Sequence, residues 1–152
     1  MGLIIIKERA NVMNKAIILL GPTGSGKTPL GDYFEQAGWH GRRCFHFDFG
    51  ANLRGVADGS IRGEFISEDD LLVVKESLEE GVLLEDETFY IAENILASFI
   101  HERGVGGEDV ILLNGLPRHI GQAEDVGRLV DVELVVYLEC LPDTVLERIR
   151  LN

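Results

Sequence analysis

Gly21-Pro22-Thr23-Gly24-Ser25-Gly26-Lys27-Thr28 is the stretch on which the reading of this chain turns. It follows the apolar run AIILL at 16–20 and satisfies the spacing G-x-x-x-x-G-K-[ST], which this composition would produce by chance in about 0.3% of such chains. The physics explains the residue types. Glycine at 21, 24 and 26 lets backbone N–H groups, that of Ser25 among them, converge on phosphate oxygens, and the start of a helix adds partial positive charge. Lys27 can neutralise β/γ oxygens, and Thr28 can offer a hydroxyl to Mg²⁺, a hard cation that takes oxygen ligands. Pro29 fits because a first-turn N–H has no intrahelical partner to lose. The stretch predicts a nucleoside triphosphate site.

Outward from this loop, apolar runs of strand length alternate with helical periodicities, which predicts a parallel α/β sheet. Strands are expected at 16–20, 44–48, 110–114 and 134–138, each apolar enough for both sheet faces to be covered. Ser67 opens a capping sequence for a helix carrying Leu71, Val74 and Leu78 and stopped by Gly81. A second helix is expected from Asp86 to about His101, with Phe89, Ala92, Leu96 and Phe99 on one face. Shorter helices are expected at 28–37, 120–129 and 143–150. Together with the phosphate loop, this resembles the three-layer α/β/α arrangement of P-loop NTPases, with about four parallel strands expected in one domain over 1–152.

Composition narrows the function. The 152 residues carry 14 Lys+Arg against 26 Asp+Glu, a formal charge of −12, and 45% are apolar. A chain of this length can bury a proper core without disulfides. Such a charge disfavours nucleic-acid partners, and an anionic ligand needs a local cationic pocket. The longest apolar runs, 3–6 and 16–20, fall far short of the ~20 residues that span a bilayer, so no membrane partner is expected. Cys44 and Cys140 lack metal-ligand spacing, sit in apolar strand-like runs and are read as reduced core residues. Residues 1–12 have no basic start or cleavage site and are read as an extension ahead of Met13, which makes the cytoplasm the expected compartment.

Four later segments resemble nucleoside monophosphate kinases, adenylate kinases most closely, over about 14–150. Asn114-Gly-Leu-Pro-Arg-His-Ile-Gly-Gln122 is similar to the family's D-G-F-P-R-x-x-x-Q, which implies that Arg118 binds the acceptor phosphate beside Gly115 and that Gln122 reads the acceptor base. Phe49-Gly50-Ala-Asn-Leu-Arg54 resembles T-G-D-x-L-R, whose Arg grips the monophosphate, and Gly81-Val-Leu83-Leu84 resembles G-x-L-V, which packs on the base. These acceptor residues fall in or beside a helical insertion at about 52–102. Val145-Leu-Glu-Arg148 resembles the helix before the family's lid, whose Arg approaches the donor. The resemblance implies ATP and Mg²⁺ as cofactors, AMP as the preferred acceptor, and Lys27, Arg54, Arg118 and Arg148 as the charges that act on the transferring group. In-line phosphoryl transfer needs such positioned cations whatever the family.

Departures from the pattern are informative. Asn114 stands where the family has an Asp that holds Mg²⁺ through water, and Asp48, at the end of the second strand, is the candidate substitute. Phe49 and Ala51 replace Thr and Asp, which leaves the acceptor base open. Family members continue past this helix into a lid, a fifth strand and a terminal helix. The resemblance therefore implies either a longer natural product, the favoured expectation, or a reduced form whose bare sheet edge invites self-association. Two other readings fit the same residues: a nucleotide-binding module without catalysis, and a small-metabolite kinase on the same core. His46, between Phe45 and Phe47, is read as a packed or partner-bonded strand residue, His119 as solvated, and the acidic stretch 64–70 as a solvated helix face.

Overall fold

The computed structural model describes residues 13–82, 84, 86–118 and 120–151, and for Asp86, Ile120, Val145, Arg148 and Leu151 the backbone alone. Four strands, β1 (Asn14–Leu20), β2 (Cys44–Asp48), β3 (Val110–Asn114) and β4 (Val130–Tyr137), form one sheet in the order β2-β3-β1-β4. β1 runs parallel to both β3 and β4. The helices are α1 (Lys27–Ala37), α2 (Phe49–Asp58), α3 (Glu68–Glu80), α4 (Phe89–Arg103), α5 (Ile120–Leu129) and α6 (Pro142–Leu151), with a 3₁₀ turn at Asp86–Thr88. The fold is α/β. No helix among the described residues is long and apolar enough to cross a membrane.

The chain divides into two compact units, one of Met1–His46 with Val105–Asn152 and one of Phe47–Gly104. In the first, both faces of the central strands are buried, as the continuous apolar runs predict. Ile17, Leu19, Cys44, Val110 and Leu112 form a cluster against which Leu30 and Phe34 of α1, Trp39 and Val136 pack. Ala16, Ile18, Ile111 and Leu113, alternating with these, are buried too. Burying each large aliphatic side chain contributes about 1.5–3 kcal/mol. Burial also pushes the Cys44 thiol up, which keeps it protonated and inert.

β4 differs from its expectation. It begins at Val130 and shifts register against β1 between Ala16 and Ile17. As an edge strand it leaves Leu134, Val135 and Tyr137 exposed, so only part of its apolar run is covered. Cys140 lies beyond the strand and is half-buried, not in the core; both cysteines are free.

In the Phe47–Gly104 unit, local signals set the helix ends. Ser67 accepts from Asp70 N, and Gly81 ends α3 in the left-handed conformation. Val74 is the fully buried residue of that helix, while Leu78 is exposed and Leu71 half-buried, so the buried stripe is narrower than the spacing suggests. Phe89, Ala92, Leu96 and Phe99 are buried along α4, and Phe47 meets Phe99 edge-on at 5.0 Å. Asp70 is not a solvated member of the acidic stretch: it is buried and accepts from the Tyr90 hydroxyl at 2.6 Å, which holds its carboxyl below the usual range.

Candidate active site

β1 ends at Leu20 and the phosphate loop turns at once into α1. Ser25 N donates to Pro22 O at 3.0 Å, and Gly24 and Gly26 have φ of +84° and +106°, values a residue with a Cβ adopts only under strain. Gly26 is the N-cap of α1, and no side chain caps that helix. The first intrahelical bond is Leu30 N to Gly26 O at 3.1 Å, so Pro29 removes no helical donor. Lys27 folds back along the loop, its Nζ donating to Gly21 O at 2.5 Å. A glycine-lined turn with a lysine laid along it and an uncapped helix start fits the phosphates of a nucleotide. Lys27 and Thr28 are the residues that would hold ATP and its Mg²⁺ there.

Thr28 does not stand alone. Asn114, the last residue of β3 and register partner of Leu19, donates from Nδ2 to Thr28 Oγ1 at 3.2 Å. The same nitrogen lies 3.1 Å from His46 Nε2, and His46 Nδ1 lies 2.9 Å from Asp32 Oδ1. His46 is therefore partner-bonded, and its partners come from α1 and β3. Sequence spacing could not have found this cluster, because its members are separated by 14, 68 and 86 positions.

Beyond Asn114 come Gly115, a cis Leu116–Pro117 peptide and Arg118. β1 and β3 are paired and parallel, so the phosphate loop and the Arg118 loop leave the same, carboxyl, edge of the sheet, where open α/β sheets bind ligands. Arg118 is exposed. Gln122 is buried instead, and its Oε1 accepts from Arg118 N at 2.9 Å. Its carbonyl thus shapes the Arg118 loop.

The Phe47–Gly104 unit holds the other acceptor candidates. Asp48 caps α2, its Oδ1 accepting from Ala51 N at 3.0 Å, which gives the proposed metal carboxylate a structural task. Phe49 is buried at the helix start, and Arg54 is exposed with its guanidinium over Gly50, where a Cβ would come within 3.2 Å of Nη1. Leu84 is buried. Leu83, His119 and the Arg148 side chain lie outside the described residues. No group of three His, Cys, Asp or Glu that could hold a metal is present among the described residues.

No family model matches the sequence. A protein of Oryza sativa subsp. japonica named "Probable adenylate kinase 1, chloroplastic" is 32% identical over 95 residues, which is 61% of this chain and 31% of that protein. The sequence is similar to that protein over this span. It spans about a third of the length of this curated relative. Among solved structures, a gluconokinase from Sinorhizobium meliloti 1021 aligns over 92% of this chain and 66% of that one at 19% identity, with a TM-score of 0.47. The chain carries Lys27 and Thr28 in its glycine-rich loop and Asn114 at the end of β3.

Proposed function

We propose that this chain is the core of a nucleoside monophosphate kinase that transfers the γ-phosphoryl group of MgATP to a nucleoside monophosphate, AMP preferred. The observation that carries the reading is the shared carboxyl edge of β1 and β3, which presents the phosphate loop and the Arg118 loop on the same side of one sheet. Lys27 would stabilise the charge that spreads over the transferring group, and Arg118 would hold the acceptor phosphate. Arg54, with Gly50 and Phe49 at the start of α2, is the acceptor-side counterpart, and Leu84 with Leu83 would line the base. Mg²⁺, held through Thr28 and water, would screen the phosphates so that an anionic acceptor oxygen can approach in line. Arg148 would approach the donor. The cytoplasm as compartment and self-association through the exposed β4 edge belong to the same proposal.

A chromatographic assay of purified 1–152 with MgATP and a panel of nucleoside monophosphates tests it. ADP formation from AMP, lost in Lys27→Ala, supports the reading, and AMP affinity that stays unchanged in both Arg54→Ala and Arg118→Ala refutes the acceptor assignment. Asn114 in place of a carboxylate favours a second reading, a nucleotide-binding module, which predicts saturable ATP binding with no transfer to any acceptor. A hit on a sugar or hydroxy acid alone would indicate a small-metabolite kinase.

A further inference from the structure

The hydrogens of one amide group decide what His46 is for. An asparagine Nδ2 only donates, and its two hydrogens have two acceptors here, Thr28 Oγ1 at 3.2 Å and His46 Nε2 at 3.1 Å. In this amide orientation Nε2 is the acceptor, the arrangement of the Nδ1–H tautomer, in which Nδ1 faces Asp32 Oδ1 at 2.9 Å. The imidazole is 5% exposed and the Asp32 carboxylate 67%, so the ring is held in the interior by a partner whose charge stays in water. A second observation is steric. A Cβ at residue 31 would meet Cδ2 and Nε2 of His46 at 2.5 Å, so α1 carries glycine in its interior where the ring lies. Glycine there costs about 1 kcal/mol relative to alanine. The helix gives up that stability to admit the imidazole.

We propose that His46 is a positioning residue for the phosphate-loop threonine. Fixed by Asp32 as the Nδ1–H tautomer, it sets the flip of the Asn114 amide, so that NH₂ faces Thr28 and holds its hydroxyl in one orientation for the cation of a bound nucleotide. With both hydrogens committed, the amide's carbonyl oxygen is its remaining polar atom. An acceptor is what a metal-bound water needs, so a neutral Asn114 in this orientation does part of the work of the carboxylate it replaces. This inference rests on the proposed nucleotide site.

The experiment is calorimetric titration of the full chain with ATP, with and without Mg²⁺, on His46→Phe, His46→Gln, Asp32→Ala and the unmodified protein, with thermal unfolding of each. Phenylalanine keeps the ring and loses the acceptor, whereas glutamine returns an acceptor at the Nε2 position. His46→Phe should lose about tenfold of the affinity that Mg²⁺ adds, the worth of one hydrogen bond, and bind metal-free ATP as before. His46→Gln should regain most of that loss. Asp32→Ala, at an exposed position that leaves the core filled, should lose about threefold and serves if His46→Phe does not fold. ¹⁵N NMR of the imidazole should report the Nδ1–H tautomer in the unmodified protein and a mixture in Asp32→Ala. A full Mg²⁺ gain in a folded His46→Phe or Asp32→Ala overturns the positioning role alone. Failure of the unmodified chain to bind ATP at all overturns the nucleotide reading and this role with it.

Discussion

The two ends of the sheet in the Met1–His46 and Val105–Asn152 unit are built from different materials. At the amino end, cations meet carboxylates: Lys15 pairs with Asp131 at 2.5 Å, Arg43 grips Asp109 through two nitrogens at 3.2 and 2.7 Å, and Arg42 binds both oxygens of Glu133 at 3.1 and 2.6 Å. At the carboxyl end, the contacts are a glycine-rich turn, an amide, a hydroxyl and an imidazole, with one exposed carboxylate, Asp32, behind the imidazole. The first end joins strands through matched charge. The second turns an amide and a hydroxyl toward the loop and directs Lys27 along a loop carbonyl, the arrangement expected where a charged ligand completes the site.

Mutations can separate the two ends. The largest effect is expected for Lys27→Ala, which should weaken MgATP binding at least thirtyfold, roughly the 2 kcal/mol of a hydrogen bond to a charged group, with an unchanged unfolding midpoint by calorimetry. A large loss of stability would mean that Lys27 belongs to the scaffold. Asp109→Ala should do the opposite. It removes acceptors for Gly106 N and for Arg43 from a carboxylate that is nearly buried, and should cost about 1–2 kcal/mol in urea unfolding while MgATP affinity stays within twofold.

Acid reads the same end more gently. Hydrogen bonding by Arg43 holds the Asp109 carboxyl below its ordinary value near 3.9, and Arg42 does the same for Glu133. A carboxylate whose folded value is lowered contributes stability above its unfolded value and loses it as pH falls through the folded one. Stability should therefore decline below about pH 4, and Asp109→Asn should flatten that decline in a pH series of urea melts. The smallest effect is expected for Lys15→Ala, whose partly exposed pair is screened by solvent: its midpoint should match that of the unmodified protein at 0.5 M salt.

Much of this was legible in the sequence because its signals are local. The phosphate loop, the Ser67 cap, the Gly81 stop and the four apolar runs each act within a few residues. The start of α2, ahead of the helical insertion expected from about 52, is hard to read because Gly50 and Gly55 flank Leu53 and its cap, Asp48, reads equally well as a strand end. The exposure of Leu134 and Val135 was hidden because an edge strand and a central strand can share one composition. At the candidate site, Lys27 and Thr28 were found by spacing. Asp32 was not, because only the folded chain brings it to His46, and His46 to Asn114.

The pairing of β2 with β3 has a consequence for anyone who would re-engineer the molecule. Val110 N bonds to Arg43 O at 2.9 Å, so the two strands start side by side and run the same way. A chain leaving the far end of β2 must travel back the length of the sheet before β3 can begin, and a tight turn cannot do that. The segment from Phe49 to Gly104 makes that return journey. It can be exchanged for another segment but not excised, so a library of alternative crossovers grafted between Asp48 and Val105 would vary that segment while leaving the phosphate loop's own fold in place.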